Sequence, residues 1–360
     1  MKIVILAHAN DNHTAPLKWG LEQAGYQVVC WGGLAWTAKQ QASASFDETD
    51  RLWLGGQTVD PGDVVWIRRP QPAVHNPSVT EPDRKFAEGE YRWFSLSLQY
   101  MLDTLPLRCI NPYSASKFIN NKSVQLVLAR QCGMKVPVTF MSNDPRAVRE
   151  FLEKYPGRTI CKPFFPHVWQ KSDGGLAATE TFELTPDQLP GDEVLTYAPA
   201  IYQEMVVKQF DARMVLMGSR VYSFALHNPK KALDWRQDAG QGLVEVETIK
   251  TPPAVEKAVL EFARRSGVCF GSLDFAIDAQ GAWWFLEINE QGQFLWLDDF
   301  NSQITMMQKF LAFLTMPRDA KQTLEERESL FPCLAEYRNS GAPAEVAPEV
   351  GVGANFISTE

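Results

Sequence analysis

The chain opens on "KIVILA", an unbroken aliphatic, β-branched run of the kind found in strands covered on both faces of a parallel sheet. "TAPLKWGLEQAG" follows as a helix closed by Gly25, and "YQVVCW" is again strand-like. This β-α-β opening recurs weakly at "DVVWIRRP" and "RCINP", which predicts an open α/β domain over residues 1–115. No GxGxxG follows the first strand, so a dinucleotide site is not expected there.

From Asn120 the pattern changes. "NKSVQLVLARQCGMKVP" sets Val124, Val127 and Leu128 at helical spacing and stops at Gly133, with Pro137 beyond. "AVREFLEKYPG" is a second helix, "RTICKPF" a strand, and "SDGGLAATETFEL" a glycine-containing loop leading into another strand. "AIYQEMVVKQFDARMVLMGSRVYSFAL" alternates apolar and polar positions across a turn at Gly218, an antiparallel pattern. A helix at "PAVEKAVLEFARRSG" and an apolar helix at "ITMMQKFLAFLTMP" follow. The last segment, from Asn339, is rich in Pro, Gly and Ala with few large apolar residues, so a mobile tail is expected.

One stretch breaks its own pattern. "GSLDFAIDAQGAWWFLEINEQGQ", Gly271 to Gln293, has the apolar density of a hairpin, yet Asp274, Glu287 and Asn289 interrupt it. Glu287 and Asn289 are two apart and share a face, with Leu286 and Ile288 on the other. A turn with an even number of residues sets Asp274 opposite Glu287; a three-residue bulged turn would set it opposite Leu286, a poor match. Two facing carboxylates repel unless a cation lies between them. A few hard oxygen donors, leaving room for water and phosphate oxygens, suit Mg²⁺. Taken alone, such residues also fit a solvent-facing polar row; the aromatic density around them argues for a closed site.

Composition narrows the class. The 360 residues call for two or three domains, and 45% hydrophobic with 22% charged residues fits a globular protein. A net charge of -8 speaks against general nucleic-acid binding, although a local basic cleft remains open. Six scattered cysteines without a CxxC pair suit a reducing compartment. The N-terminal apolar run is too short for a signal peptide, and no run approaches the roughly 18–20 residues of a membrane span. A cytoplasmic protein without membrane contact is expected.

A magnesium site serving phosphates also needs cations. Lys162 lies inside the strand "TICKPF", where lysine is disfavoured unless its amine meets an anion. Lys122 begins a helix, against the helix dipole unless a phosphate shares the space. Each lysine alone also fits a solvated surface group; together with the acidic hairpin they point to nucleotide phosphates.

This ordered set resembles the ATP-grasp superfamily. The pieces that carry it, "NKSVQLVLARQCGMKVPVT", "ICKPF", "YQEMVVKQFDAR" and "LDFAID…FLEIN", run from about Asn111 to Leu297. The resemblance implies an N-terminal open α/β domain (1–115), two α+β subdomains (116–198 and 199–318) and a C-terminal extension (319–360), partly disordered. It implies ATP phosphates held by Lys122 and Lys162, and adenine read by the strand around Gln203, Glu204, Met205 and Val206. Lys208 or Asp211 would meet the ribose, while Arg213 and Arg236 would face the γ-phosphate and an acyl phosphate. Asp274, Glu287 and Asn289 would bind Mg²⁺, and the loop with Gly174 and Gly175 would fold over the phosphates, although it also fits an ordinary turn.

Within the superfamily, "VWIRRP", "DWRQ" and "LEINEQGQFLWL" look most like the graspetide (microviridin-type) ligases that cyclise ribosomal peptides. Glu290 stands where many ATP-grasp ligases have Pro. The implied reaction activates a Glu or Asp side chain of a precursor peptide as an acyl phosphate, which a hydroxyl or amine then displaces. The implied partners are that peptide, with a leader and an acidic core, and a second copy in a homodimer. Arg68 and Arg69 would either receive the acidic peptide or seat the N-terminal domain against the rest. No general base is assigned; His227 and Asp234 lie in the right region and also fit structural roles. Two alternatives stand beside this reading: a free-standing ligase for amino acids or a protein tail, and a degenerate nucleotide-binding module.

Overall fold

The computed structural model describes residues 1–165, 167–170, 175–179, 181–230, 233–239, 241–316 and 323–343. Gly174 and the C-terminal segment from residue 344, expected to be a phosphate loop and a mobile tail, lie outside the described residues.

The opening run forms β1 (Ile3–Ala7), followed by α1 (Thr14–Gln23) and β2 (Val28–Trp31). A small antiparallel meander, β3 (Ala42–Ser45), β4 (Arg51–Leu54) and β5 (Gln57–Val59), precedes β6 (Val64–Arg69), α2 (Glu81–Thr104) and β7 (Arg108–Ile110). The main sheet is parallel with order β2-β1-β6-β7. The continuous apolar runs follow from burial on both faces. One face packs on Leu98, Met101 and Leu102 of α2 and on the meander. The other enters a core shared with the C-terminal half of the chain.

The next unit contains α3 (Tyr113–Ile119), α4 (Lys122–Gln131), β8 (Thr139–Ser142), α5 (Pro145–Lys154), β9 (Thr159–Lys162), the hairpin β10 (Val168–Gln170) and β11 (Leu176–Ala178), β12 (Phe182–Glu183), α6 (Asp192–Leu195) and β13 (Ala200–Glu204). Its antiparallel sheet runs β12-β9-β13-β8. Asn121 caps α4 by accepting from the amides of Ser123 and Val124.

The largest sheet, β16-β15-β14-β17-β18, is antiparallel: β14 (Lys208–Met217), β15 (Arg220–His227), α7 (Arg236–Ala239), β16 (Glu245–Ile249), α8 (Pro253–Ser266), β17 (Phe270–Asp278) and β18 (Trp283–Asn289). The short α9 (Trp296–Phe300) leads to α10 (Met306–Thr315), then α11 (Leu324–Glu328) and α12 (Leu334–Asn339). Among the described residues no helix is long and apolar enough to cross a membrane.

Three expectations change. The alternating run from Ala200 to Leu226 belongs to two sheets: β13 pairs with β8 and β9, while β14 pairs with β15 and β17. The change of sheet falls at Met205–Val207, because alternation alone does not say which neighbour a strand takes. The buried stripe of α4 is Gln125, Leu128 and Ala129, with Val127 45% exposed. Finally, the apolar α10 does more than close the fold. Its Phe310 ring touches Trp66 of β6 at 5.0 Å and Phe270 of β17 at 4.9 Å, so the N-terminal sheet and the large sheet share one core. A helix apolar on every side fits only such a slot. Leu324, Phe331, Leu334 and Tyr337 bring the described part of the C-terminal extension into that core.

Candidate functional site

On the core-facing side of the large sheet, Val215, Met217 and Phe270 pack under α10. Further along the same face, charge replaces apolar side chains. Arg213 of β14 stands opposite Asp274 of β17, and Asp274 opposite Glu287 of β18, a lateral row across three strands. The expected pairing of the two carboxylates is present, but by another route. The turn Asp278–Ala282 holds an odd number of residues, and a bulge at Leu286 restores the register.

The row is held by chain cations. Arg213 Nη1 lies 3.0 Å from Asp274 Oδ1, and Arg236 Nη2 lies 3.1 Å from Asp274 Oδ2 and 3.5 Å from Glu287 Oε1. Lys122 Nζ is 3.8 Å from Glu287 Oε2. Arg213 lies against the rings of Trp235 and Trp296 at 5.6 and 5.8 Å, on one side of a ring pair whose centroids are 5.0 Å apart, a cation–π arrangement. Arg236, at the start of α7, also pairs with Asp234 at 3.1 Å.

Electrostatics follows from this crowding. Burial pushes the Asp274 carboxyl up, opposed by Arg213 and Arg236. Burial also works against charge on Glu287, but Lys122, Lys162 and Arg236 outweigh it and hold the carboxyl below its usual range. Lys162 is pushed down to about 8, chiefly by burial, with Glu287 opposing and Lys122 and Arg236 adding to it. Its Nζ donates to Gln203 Oε1 at 2.8 Å, and Gln203 Nε2 donates to Thr139 Oγ1 at 2.8 Å. Lys122, Lys162, Gln203, Met141, Leu286 and Glu287 line one cleft between the central sheet and the large sheet.

The other sequence candidates divide. Glu204 is paired with Arg158 at 2.9 Å, and the Met205 amide donates to the Arg158 carbonyl at 2.6 Å. That bond takes Met205 N–H away from any base edge. Lys208 and Asp211 hold each other at 2.7 Å, with burial lifting Asp211 to about 6 despite Lys208. Asn289 pairs with Ser272 across β17, and its side-chain oxygen accepts from the Gln291 amide at 3.0 Å. Arg68 does not reach the surface. It is 1% exposed, paired with Asp11 at 3.2 Å, and donates to the carbonyl of Gln291. It seats the N-terminal domain against the loop after β18 and is not available to receive a peptide. Arg69 beside it is half-buried and, among the described residues, has no ion-pair partner.

Three buried polar residues escaped the sequence reading. Gln125 donates to the Ile288 carbonyl at 3.0 Å and accepts from the Ile288 amide at 3.0 Å, which fixes α4 on β18 and sets Lys122, one turn earlier, above Glu287. Asn111 satisfies all its amide positions on Cys269, Phe270 and Glu290, joining the end of β7 to β17. His13 Nε2 accepts from the amides of Phe294 and Leu295, so the buried ring is neutral. A glutamine on the buried stripe of a helix was the one available signal.

No family model matches the sequence, and no curated protein matches it. Solved structures do. The RiPP-associated ATP-grasp ligase of Chryseobacterium gregarium, solved with ADP and a leader and core peptide, matches with a TM-score of 0.73 at 22% identity, covering 89% of this chain and 99% of its own. The macrocyclase MdnC of Microcystis aeruginosa MRC, solved with precursor peptide MdnA, matches at 0.71 and 21%, over 88% and 99%. This chain has the ATP-grasp fold. The ATP-grasp ligase PsnB, solved with a phosphomimetic variant of minimal precursor, Mg and ADP, matches at 0.67 and 20% identity, over 87% of this chain and 97% of its own. Within that fold Glu287, at one end of the charged row, lines the cleft together with Lys122 and Lys162.

The donor set fits a hard cation. Among the described residues no three His, Cys, Asp or Glu side chains cluster to hold a metal. The set here is two carboxylates on adjacent strands and one amide oxygen, few enough donors for Mg²⁺ to keep water and phosphate oxygens.

Proposed function

We propose that this chain is an ATP- and Mg²⁺-dependent ligase of the cytoplasm that forms ester or amide links within a ribosomal precursor peptide. A Glu or Asp side chain of the peptide attacks the γ-phosphorus of ATP, ADP leaves, and a hydroxyl or amine displaces phosphate from the acyl phosphate. The observation that carries this reading is the row Arg213–Asp274–Glu287 with Lys122 and Lys162 facing it across the cleft. Four cations (Lys122, Lys162, Arg213, Arg236) meet three carboxylates (Asp234, Asp274, Glu287), a surplus suited to a polyphosphate.

Asp274, Glu287 and Asn289 would hold the magnesium, which when bound neutralises phosphate charge. The residues of the chain position and spread charge. Lys162, fixed by Gln203, and Lys122, fixed through Gln125, would hold phosphate oxygens. Arg236, part-exposed and hinged on Asp234, would exchange Asp274 for the developing acyl phosphate, while Arg213 stays against its two tryptophans. Glu204 and the backbone at Met205–Val206 would border the adenine, and Lys208–Asp211 the ribose. Arg69, at the end of β6 and without an ion-pair partner among the described residues, would meet the acidic peptide. A homodimer belongs to this reading, although every residue named here comes from one chain.

The neighbours solved with precursor, leader or core peptide support the peptide as substrate over free amino acids. Incubation with ATP, Mg²⁺ and an acidic peptide encoded beside this chain should remove one water per bond formed, read by mass spectrometry. ADP release with free amino acids and none with the peptide would turn the reading to a free-standing ligase.

A further inference from the structure

Lys208 and Asp211 lie on β14 ahead of Arg213, and their spacing alone would keep them apart. They are three residues apart, so a regular strand would point them to opposite faces. The ladder to β17 slips between them: Lys208 stands opposite Asp278 and Phe210 opposite Ile277, with Gln209 as the extra residue. A bulge of this kind re-aims a side chain. Here it brings Lys208 to the face that carries Asp211 and Arg213.

The bulge makes a closed set of bonds possible. A lysine ammonium has three donors. Those of Lys208 go to Asp211 Oδ1 at 2.9 Å, Asp211 Oδ2 at 2.7 Å and the Leu233 carbonyl at 2.8 Å. The two side chains are 17% and 10% exposed, so neither is a free surface charge. The third bond is the informative one. Asp211 neutralises Lys208 without it, and Leu233 belongs to another segment, three residues before Arg236.

The reach of Arg236 depends on where that segment lies. Other bonds tie the segment to itself: Asn228 and Lys230 both donate to Asp238, at 2.7 and 2.9 Å, and the Arg236 amide donates to Asp234 at 3.0 Å. Such bonds keep its shape and leave its place on the sheet open. Lys208 fixes that place from β14, the strand that also carries Arg213. Just beyond Leu233, the Trp235 ring meets Trp296 at 5.0 Å, and Arg236 reaches Asp274 at 3.1 Å. The Arg236 side chain is 40% exposed, so the place of its backbone decides what its guanidinium meets.

We propose that Lys208 is a positioning residue for the ligation, with Asp211 as its counter-charge: it pins Leu233 to β14 and so sets Arg236 over Asp274, where the acyl phosphate would form. The pair would border the ribose without bonding it, since all three donors are taken. This rests on the role given to Arg236 in the functional reading. Hydrogen exchange of the full chain, read by mass spectrometry, tests the anchor: Lys208→Met should speed exchange over residues 235–239 by about tenfold and leave β15 unchanged. Peptide-dependent ADP release tests the consequence. In Lys208→Met, kcat should fall by about tenfold or more. Affinity for ATP, and its preference over deoxy-ATP, should stay within about twofold. Lys208→Arg, with donors for both partners, should recover most of the rate. Adding Lys208→Met to Arg236→Ala should cost nothing further, because the residue being positioned is gone. Lys208→Gln, which lacks a third donor, serves if Lys208→Met fails to fold. Unchanged exchange, an unchanged kcat, loss of ATP affinity together with the preference over deoxy-ATP, or a further loss in the double variant would each overturn the proposal. Faster exchange in a chain whose wild type releases no ADP with the peptide would strike the ligase reading and leave the anchor standing.

Discussion

Two charged clusters lie four residues apart around the end of β18, at Glu287 and at Gln291, and they are built for different ends. Arg68 and Asp11 have side chains 1% and 3% exposed, one cation against one anion, closed by the Gln291 carbonyl. Arg236 and Glu287 have side chains 40% and 39% exposed, in a group where cations outnumber carboxylates. A sealed, balanced pair has no capacity to exchange partners, and breaking it strands a charge in the interior. An open, unbalanced group exchanges partners at little cost, because water and a ligand's phosphates replace what it gives up. Sequence alone makes both look alike, as arginines beside polar motifs.

The largest effect should come from the open cluster. Glu287→Gln and Asp274→Asn should each lower peptide-dependent ATP turnover by on the order of 100-fold or more, with the melting temperature little changed in Glu287→Gln and lowered in Asp274→Asn, which weakens the buried pair with Arg213. Normal turnover in either variant would remove the row from the chemistry. The sealed cluster should respond in the opposite way. Arg68→Met leaves Asp11 buried and unpaired, at a cost of about 3–5 kcal/mol of stability, measured by urea unfolding. Asp11 is held below the usual carboxylate range; burial pushes it up, and Arg68 together with His13 and Arg69 more than compensates. In the wild type this contribution is present above the unfolded pKa and is lost as pH falls through the folded one. In Arg68→Met that acid-side loss should vanish, so the two proteins should converge in stability below about pH 4.

The legible part of the fold was the part where one physical signal acts alone. "KIVILA" is continuous because both faces are covered, and Asp274 faces Glu287 because no other register clusters the oxygen donors. Where two signals overlap, pattern failed. α2 buries Leu98, Met101 and Leu102 but also carries the exposed aromatics Phe86 and Trp93, which erases its periodicity. β13 alternates like β14 and continues straight into it, yet it pairs in another sheet. The Leu286 bulge is invisible because an inserted residue in a β-branched and aromatic run changes no residue type. Arg68 stayed open between two roles because the polarity of its side chain is satisfied by Asp11, far away in sequence.

A smaller effect sharpens the contrast through pH. Burial holds Lys162 at about 8, with Glu287 only partly offsetting it. Below that value the ammonium is present to meet a phosphate, and above it the charge is lost. Affinity for ATP, measured by titration calorimetry without peptide, should therefore weaken by up to about tenfold per pH unit above 8. Lys162→Arg should flatten the profile, because a guanidinium stays charged. A wild-type profile flat to pH 10 would mean that Lys162 does not touch the nucleotide.

The smallest expected change tests whether the open cluster is positioned from below. Gln125 touches neither carboxylate, but its amide binds both polar groups of Ile288, the residue between Glu287 and Asn289. Gln125→Ala leaves those groups unpaired in the interior and should cost about 1–3 kcal/mol of stability. A purely structural role stops there. If Gln125 also sets the height of Lys122 above Glu287, KM for ATP should rise a few-fold while kcat changes less, since phosphate contacts form before the chemical step. Gln125→Glu keeps the acceptor for the Ile288 amide and loses the donor to its carbonyl, so it should fall between the two. A lowered melting temperature with KM unchanged in both variants would assign Gln125 to the core alone and leave Lys122 held only by its own helix cap.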